Sequence, residues 1–344
     1  MTLVVKLGSS LVASSHGSVR RAVLARRARE IAHVVRGGEP VAVVSSGAIA
    51  LGLPELGLET RPRSVPKLQA ASALGQGRLH RAWERALARE GIAAAQVLLT
   101  AGDVAERATY VNARHALQAL FAAGAVPIVY DNDATATDEI TFGDNDALAA
   151  QVAILVGARL LVLLTEVEGV YTRSPGTPGA ELVADGTATD VRFGRSSALG
   201  RGGMESKVLA ARMATAAGIP TVIAGGTGPS VLEPILAGER RGTRFQGSEH
   251  GLSAYKLWLR FGKTPRGRLH VDAGAKRAVA VEGRSLLAVG VVSSEGRFDA
   301  GDAVELVGPD GEPFARGIAG ATPAEIASRP RGLEAVHRNR LVVY

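Results

Sequence analysis

Two of the six lysines in this 344-residue chain stand beside glycine-rich turns. Lys6 ends an apolar run and is followed by Gly8-Ser9-Ser10, a turn with no bulk to keep a ligand from its backbone amides. Lys207 closes the stretch Gly200-Arg201-Gly202-Gly203-Met204-Glu205-Ser206-Lys207, which opens an expected helix. Amide N–H groups, the helix dipole and an ammonium would converge there, which suits a phosphate. Asp131-Asn132-Asp133 and Asp144-Asn145-Asp146 each gather two carboxylates and an amide within three residues. Such a set fits phosphoryl transfer, which depends on positioning and charge neutralisation more than on covalent help. Two lysines would hold the travelling group, and Asp146, between them, would orient both. Mg²⁺ would bridge the nucleotide phosphates. Each feature also has a plainer reading. A strand-end lysine can simply reach solvent, and Asp144 can cap a helix whose first turn favours Asp146. That account leaves Asn145 idle and the clustering unexplained.

Other chemistries fit less well. No Gly-x-Gly-x-x-Gly turn follows a strand, so a dinucleotide fold is not indicated. The seven histidines are scattered, and cysteine is absent, which excludes thiolate metal sites, disulfides and a cysteine nucleophile. The net charge of +7 is densest in a short connecting segment (Arg240, Arg241, Arg244, Lys256, Arg260, Lys263) and not in a basic body, which argues against nucleic acid as the partner. No apolar run reaches the length of a membrane span, no signal peptide is expected, and a cytoplasmic setting fits the lack of cysteine.

The elements that must position these residues alternate. Residues 20–36 have helical spacing ended by Gly37-Gly38, and residues 41–44 are a short apolar run that feeds Ser45-Ser46-Gly47. Helices are expected at 66–88, 112–122 and 147–156, and strands at 93–99, 126–130, 160–164 and, last, 220–224. The pattern predicts an α/β fold, an αβα sandwich with a mainly parallel sheet, and ligands at the carboxyl ends of its strands. Residues 174–203 read as loops and a lid. The tail holds short strand-like pieces at 269–271, 278–281, 286–292 and 303–306, the mark of a small β-rich domain. The expected division is 1–245 for the first domain, 246–263 for an aromatic linker and 264–344 for the second.

KLGSS (6–10), SSGAIALG (45–52), DNDATAT (131–137), FGDNDALAA (142–150), LLTEVEGVYT (163–172) and RGGMESK (201–207) resemble the amino-acid kinase superfamily, in order and wording nearest its glutamate 5-kinase branch. GRLHVDAGAKRAV (267–279), FARGIAG (314–320) and VHR (336–338) resemble the PUA domain appended to many bacterial members, and suggest a small barrel. The resemblance implies transfer of the ATP γ-phosphoryl group to the side-chain carboxylate of L-glutamate, the first step of proline biosynthesis. It implies that Lys6 and Lys207 stabilise the transferring group and that Asp146 orients them. Ser46, Asp133 and Asn145 would hold glutamate, with Asp133 facing its ammonium. Lys6, Thr165, Glu166 and the loop Arg201, Gly202, Gly203, Met204, Glu205, Ser206 and Lys207 would hold ATP. Feedback inhibition by proline and a homodimer or homotetramer are implied as well. The chain departs from the family at four points, one of them a stretch between Glu181 and Gly202 that is shorter than usual. Tyr130-Asp131-Asn132-Asp133 stands where Asn-Glu-Asn-Asp is usual, and the first Asn is a substrate contact. Glu166 replaces an Asp, and Arg201 a Thr. Two other readings compete with it: a sibling kinase acting on another small carboxylate, carbamate or nucleotide, and an RNA-binding protein working through its tail. The tail's small net charge and few aromatics speak against the second.

Overall fold

The computed structural model describes residues 1–105, 107–135, 144–187, 203–249, 256, 259–260 and 265–344. They form two compact units, Met1–Gly251 and Leu252–Tyr344.

The first unit is built on a seven-stranded sheet in the order β3-β4-β2-β1-β5-β6-β7. β1 (Thr2–Leu7) is wholly buried at its centre. Short α1 (Ser9–Val12) and long α2 (Arg21–Arg36) lead to β2 (Val41–Ser45), α3 (Ala48–Gly52) and α4 (Val65–Ala88). β3 (Ala94–Leu99), α5 (Ala101–Ala105), α6 (Arg107–Ala122) and β4 (Val126–Asp131) complete one side. α7 (Asp144–Val156) then returns the chain to β5 (Ala158–Thr165), on the other flank of β1. α8 (Met204–Ala216), β6 (Thr221–Gly225), α9 (Leu232–Leu236) and β7 (Thr243–Phe245) follow. All neighbours are parallel except β6 and β7. The expected parallel sheet is thus present. Residues 220–224 are not its last strand, because three residues of β7 pair antiparallel with β6. A segment so short carries no readable alternation. The chain reverses direction across the sheet at β1, so Lys6, next to last in that strand, lies at the topological switch point, where open sheets bind ligands.

The period of two along each strand sorts side chains onto two faces. Leu3, Val5 and Leu7 join Val41, Val43, Ile128, Val162 and Val222 in a core covered by α2 and α4. Lys6 faces the other way, toward α7 and α8. α3 and α4 meet through glycines. A Cβ on Gly75 would lie 1.9 Å from the Ala48 carbonyl oxygen, and one on Gly52 would lie 1.8 Å from that of Ala71. Arg78 fastens the pair by donating to Leu51 O (2.8 Å) and Glu55 Oε1 (2.9 Å). Gly75→Ala must therefore push α3 off α4. It is expected to cost about 1–3 kcal/mol, the usual range for overpacking, read as a lower urea midpoint. An unchanged midpoint would show that the two helices part freely.

The second unit carries a six-stranded sheet, β10-β8-β11-β12-β13-β9, from β8 (Gly267–Val271), β9 (Leu286–Leu287), β10 (Val291–Gly296), β11 (Ala303–Val307), β12 (Pro313–Ala319) and β13 (Glu334–Val343). Residues 278–281, expected as strand, instead end the helix Ala273–Ala280. Asp272 caps that helix by accepting from Ala275 N at 2.7 Å. The cap and alanine-rich first turn outweigh the apparent alternation of four residues. Residues 286–292 split into β9, a turn of 3₁₀ helix and β10.

Candidate active site

Lys6 and Lys207 converge on one carboxylate. Lys6 Nζ lies 2.6 Å from Asp146 Oδ1, and Lys207 Nζ lies 3.1 Å from Oδ2. All three are buried, with Asp146 only 1 % exposed. The sheet supplies Lys6 from β1, α7 supplies Asp146 from its first turn and α8 supplies Lys207 from its own. Ser206 Oγ donates toward Asp146 Oδ2 (2.8 Å) and Gly203 O (2.9 Å), tying the start of α8 to α7. Burial alone would push the Asp146 carboxyl up. Lys6 first and then Lys207 outweigh it and hold the group below the usual carboxylate range. Burial pushes the Lys6 ammonium down, and Lys207 adds to that, although Asp146 opposes it. Among the described residues, the cluster sets two ammoniums against the Asp146 carboxylate, a concentration of positive charge in a desolvated place. An arriving phosphate would offset it.

The amides nearby are arranged differently from the sequence expectation. Gly8 N donates to Leu164 O at 3.1 Å, so that amide is committed to the sheet. The turn instead presents Ser9 and Ser10 at the start of α1. Gly203 caps α8 without a side chain, and Glu205 lies in the first turn. Arg201 and Gly202 lie outside the described residues, as do Gly143 and half of the expected lid, residues 188–202. Thr165 ends β5, and its carbonyl accepts from Gly226 N at 2.7 Å, while Glu166 is exposed. These two therefore sit at the strand end beside Lys6. A glutamate in place of aspartate has room to extend there.

Ser46 follows the carboxyl end of β2, Asp133 lies just beyond that of β4 and Asn145 is in the first turn of α7. Ser46 N donates to Leu7 O (3.2 Å), and Trp83 Nε1 donates to Ser45 Oγ (3.0 Å), which anchors that loop. Gly47 has φ +115°, a left-handed conformation that favours glycine. Asp133 accepts from Ser72 Oγ of α4. Burial pushes its carboxyl up, opposed by that hydrogen bond and by Arg61. Asn145 Oδ1 is buried without a hydrogen-bond partner among the described residues. An orphaned acceptor beside Asp146 is a place for a ligand's donor.

Tyr130 does not take the position of a substrate contact. Its side chain is 2 % exposed, belongs to the core under α4 and meets His80 Nδ1 at 3.3 Å, with the rings edge to face. Burial pushes its phenol up and the His80 imidazole down. Sequence reading missed Ser72 and His80, whose signal was polar residues recurring at helical spacing on an otherwise apolar face of α4. Among the described residues, no group of three or more His, Asp or Glu side chains could hold a metal. The residues fit an ion carried on nucleotide phosphates and water, as Mg²⁺ commonly is, better than a protein cage.

Residues 1–225 match the amino acid kinase family and residues 267–339 match the PUA domain. The chain is 45% identical over 333 residues to the glutamate 5-kinase of Sphingopyxis alaskensis, covering 95% of this chain and 89% of that protein. It is 44% identical over 365 residues to that of Gloeobacter violaceus, covering 99% of each. Against that of Moorella thermoacetica it is 40% identical over 363 residues, covering 99% of this chain and 96% of that one. An X-ray structure of isopentenyl phosphate kinase superposes on 72% of this chain and all of its own, with TM-score 0.51 and 23% identity, a likeness of fold alone. With its parallel sheet, its lysine–aspartate–lysine cluster at the switch point and these matches, the chain belongs to the amino acid kinase family, in the glutamate 5-kinase branch that carries a C-terminal PUA domain.

Proposed function

We propose that this enzyme transfers the γ-phosphoryl group of ATP to the side-chain carboxylate of L-glutamate, giving L-glutamyl 5-phosphate, the first step of proline biosynthesis. The observation that carries the reading is the pair of buried ammoniums held on Asp146 at the switch point, in a chain of this family. A carboxylate oxygen of glutamate attacks the γ-phosphorus, and the bond from phosphorus to the bridging oxygen breaks, releasing ADP. The acceptor is already ionised at neutral pH, so no base is required. That agrees with a site whose one central carboxylate is occupied by two lysines. Lys6 and Lys207 neutralise the charge spread over the transferring oxygens, and Asp146 sets their spacing. Ser9, Ser10 and the first amides of α8 approach the phosphates. Thr165, Glu166 and residues 201–207 hold the nucleotide. Mg²⁺ carried in on the nucleotide would help to neutralise its phosphate charge. Asp133 faces the ammonium of glutamate, and Ser46 and Asn145 complete the acceptor pocket. We further propose a cytoplasmic homo-oligomer, dimer or tetramer, that proline inhibits. Among the described residues, no helix is long and apolar enough to cross a membrane.

The test is ADP release from Mg·ATP with L-glutamate, L-aspartate and N-acetyl-L-glutamate in parallel, with hydroxylamine to trap an acyl phosphate and with proline added to a matched set. Glutamate-dependent turnover trapped as the hydroxamate and suppressed by proline is expected. Turnover with another acceptor and none with glutamate would transfer the assignment to a sibling specificity.

A further inference from the structure

The face of α4 turned toward the end of β4 carries a polar stripe. Ser72, Gln76 and His80 are four residues apart, so they lie one above another. The outer two are both engaged with the chain segment that bounds the acceptor pocket. Ser72 Oγ donates to Asp133, and His80 meets the Tyr130 hydroxyl at 3.3 Å. Gln76 lies between them. Its Nε2 is fully buried and has no hydrogen-bond partner among the described residues. Its neighbour Gly75 is pressed against the Ala48 carbonyl of α3, one residue beyond the Ser46-Gly47 turn. Gln76 thus lies on the α4 face that meets the segment carrying Tyr130 and Asp133, on a helix packed against α3 just beyond Ser46.

A buried amide donor without an acceptor is costly, and a folded protein keeps one mainly where something else will satisfy it. Two orphans of opposite sense stand at this pocket: the Gln76 donor on α4 and the Asn145 Oδ1 acceptor on α7. A zwitterion has a group for each. Its ammonium suits Asp133 and Asn145, and its carboxylate suits an N–H.

We propose that Gln76 is an acceptor-binding residue, its side-chain amide donating to a carboxylate oxygen of the bound amino acid. This rests on the acceptor pocket assigned above. It makes that pocket selective for amino acids with both charges in place. The Tyr130–His80 pair serves as the fixed end of the stripe and holds α4 against β4.

The test uses the full chain with Gln76→Leu and Gln76→Glu, beside Asn145→Ala and Asp133→Asn. Gln76→Leu keeps bulk and removes the donor. It is expected to raise KM for glutamate by about 10- to 100-fold, as loss of a hydrogen bond to a charged group does, with KM for ATP changed less than about twofold. Its urea midpoint should stay level or rise, because an unpaired buried donor has gone. A merely structural glutamine would give the opposite, a lower midpoint with glutamate KM unmoved. Gln76→Glu is isosteric and places a carboxylate on the stripe one turn from the Ser72–Asp133 hydrogen bond, so glutamate KM should rise at least as far. An unchanged glutamate KM in Gln76→Glu, or in folded Gln76→Leu, overturns the proposal. If Asn145→Ala and Asp133→Asn still raise glutamate KM in that case, Gln76 alone is misassigned. If none of the four moves it, the acceptor pocket itself lies elsewhere and both readings fall.

Discussion

Lys6→Met is expected to lower kcat by about a hundred- to a thousandfold, the loss found when one preorganised donor to a developing oxyanion is removed. The protein should nevertheless stay folded. In the native cluster two ammoniums share one carboxylate, at 2.6 and 3.1 Å, so deleting Lys6 leaves Asp146 still paired with Lys207 and still accepting from Ser206. No uncompensated buried charge is created, and the methionine fills the vacated stem. Because burial already opposes the Lys6 ammonium, its removal relieves a desolvation cost and a lysine–lysine repulsion. The expected signature is a collapse of turnover with a urea midpoint near that of the parent. A kcat within tenfold of the parent would mean that Lys6 does not face the transferring group.

Asp146→Asn should act on both properties. The carboxylate is 1 % exposed and is the anion that Lys6 and Lys207 share. An amide in its place takes from both ammoniums, in a desolvated site, the carboxylate they share. Removing one partner of a buried pair costs about 3–5 kcal/mol, enough to consume a large part of a typical domain's stability. The sign of the pH effect follows from Lys6. Burial holds the Lys6 ammonium below its ordinary value even with Asp146 present, so without it the folded protein binds the proton still less readily than the unfolded chain. Stability then rises as pH climbs toward the unfolded lysine value of about 10.4, where the deficit closes. Nucleotide should restore more stability to this variant than to the parent, because its phosphates supply the missing charge. Thermal and urea unfolding across neutral to alkaline pH, with and without Mg·ATP, would measure all of this. A variant as stable as the parent at neutral pH would show that the cluster is solvated rather than buried.

Much of the site was legible from local features. A lysine at the end of an apolar run, a second lysine in the first turn after glycines, and an aspartate at a helix start are each written within a few residues. The parallel sheet was legible because buried strands and amphipathic helices have distinct periods. The tail was read less well. Residues 278–281 alternate like a strand, yet the Asp272 cap six residues upstream commits them to a helix. β7 is too short to show a period, and only its pairing with β6 defines it.

The sequence by itself determined the chemistry that could occur and the elements that carry it, because residue type and period are local properties. The tertiary structure alone decided which groups meet. Lys6, Asp146 and Lys207 lie far apart along the chain, and only the order of strands brings them within 3.1 Å. It withdrew Gly8 N from ligand duty by pairing it with Leu164 O. It also assigned Tyr130 to the core with His80. A side chain's face depends on strand register, and an amide's availability depends on the neighbouring strand. Both are set by packing across long sequence separations, which no short stretch of residues encodes.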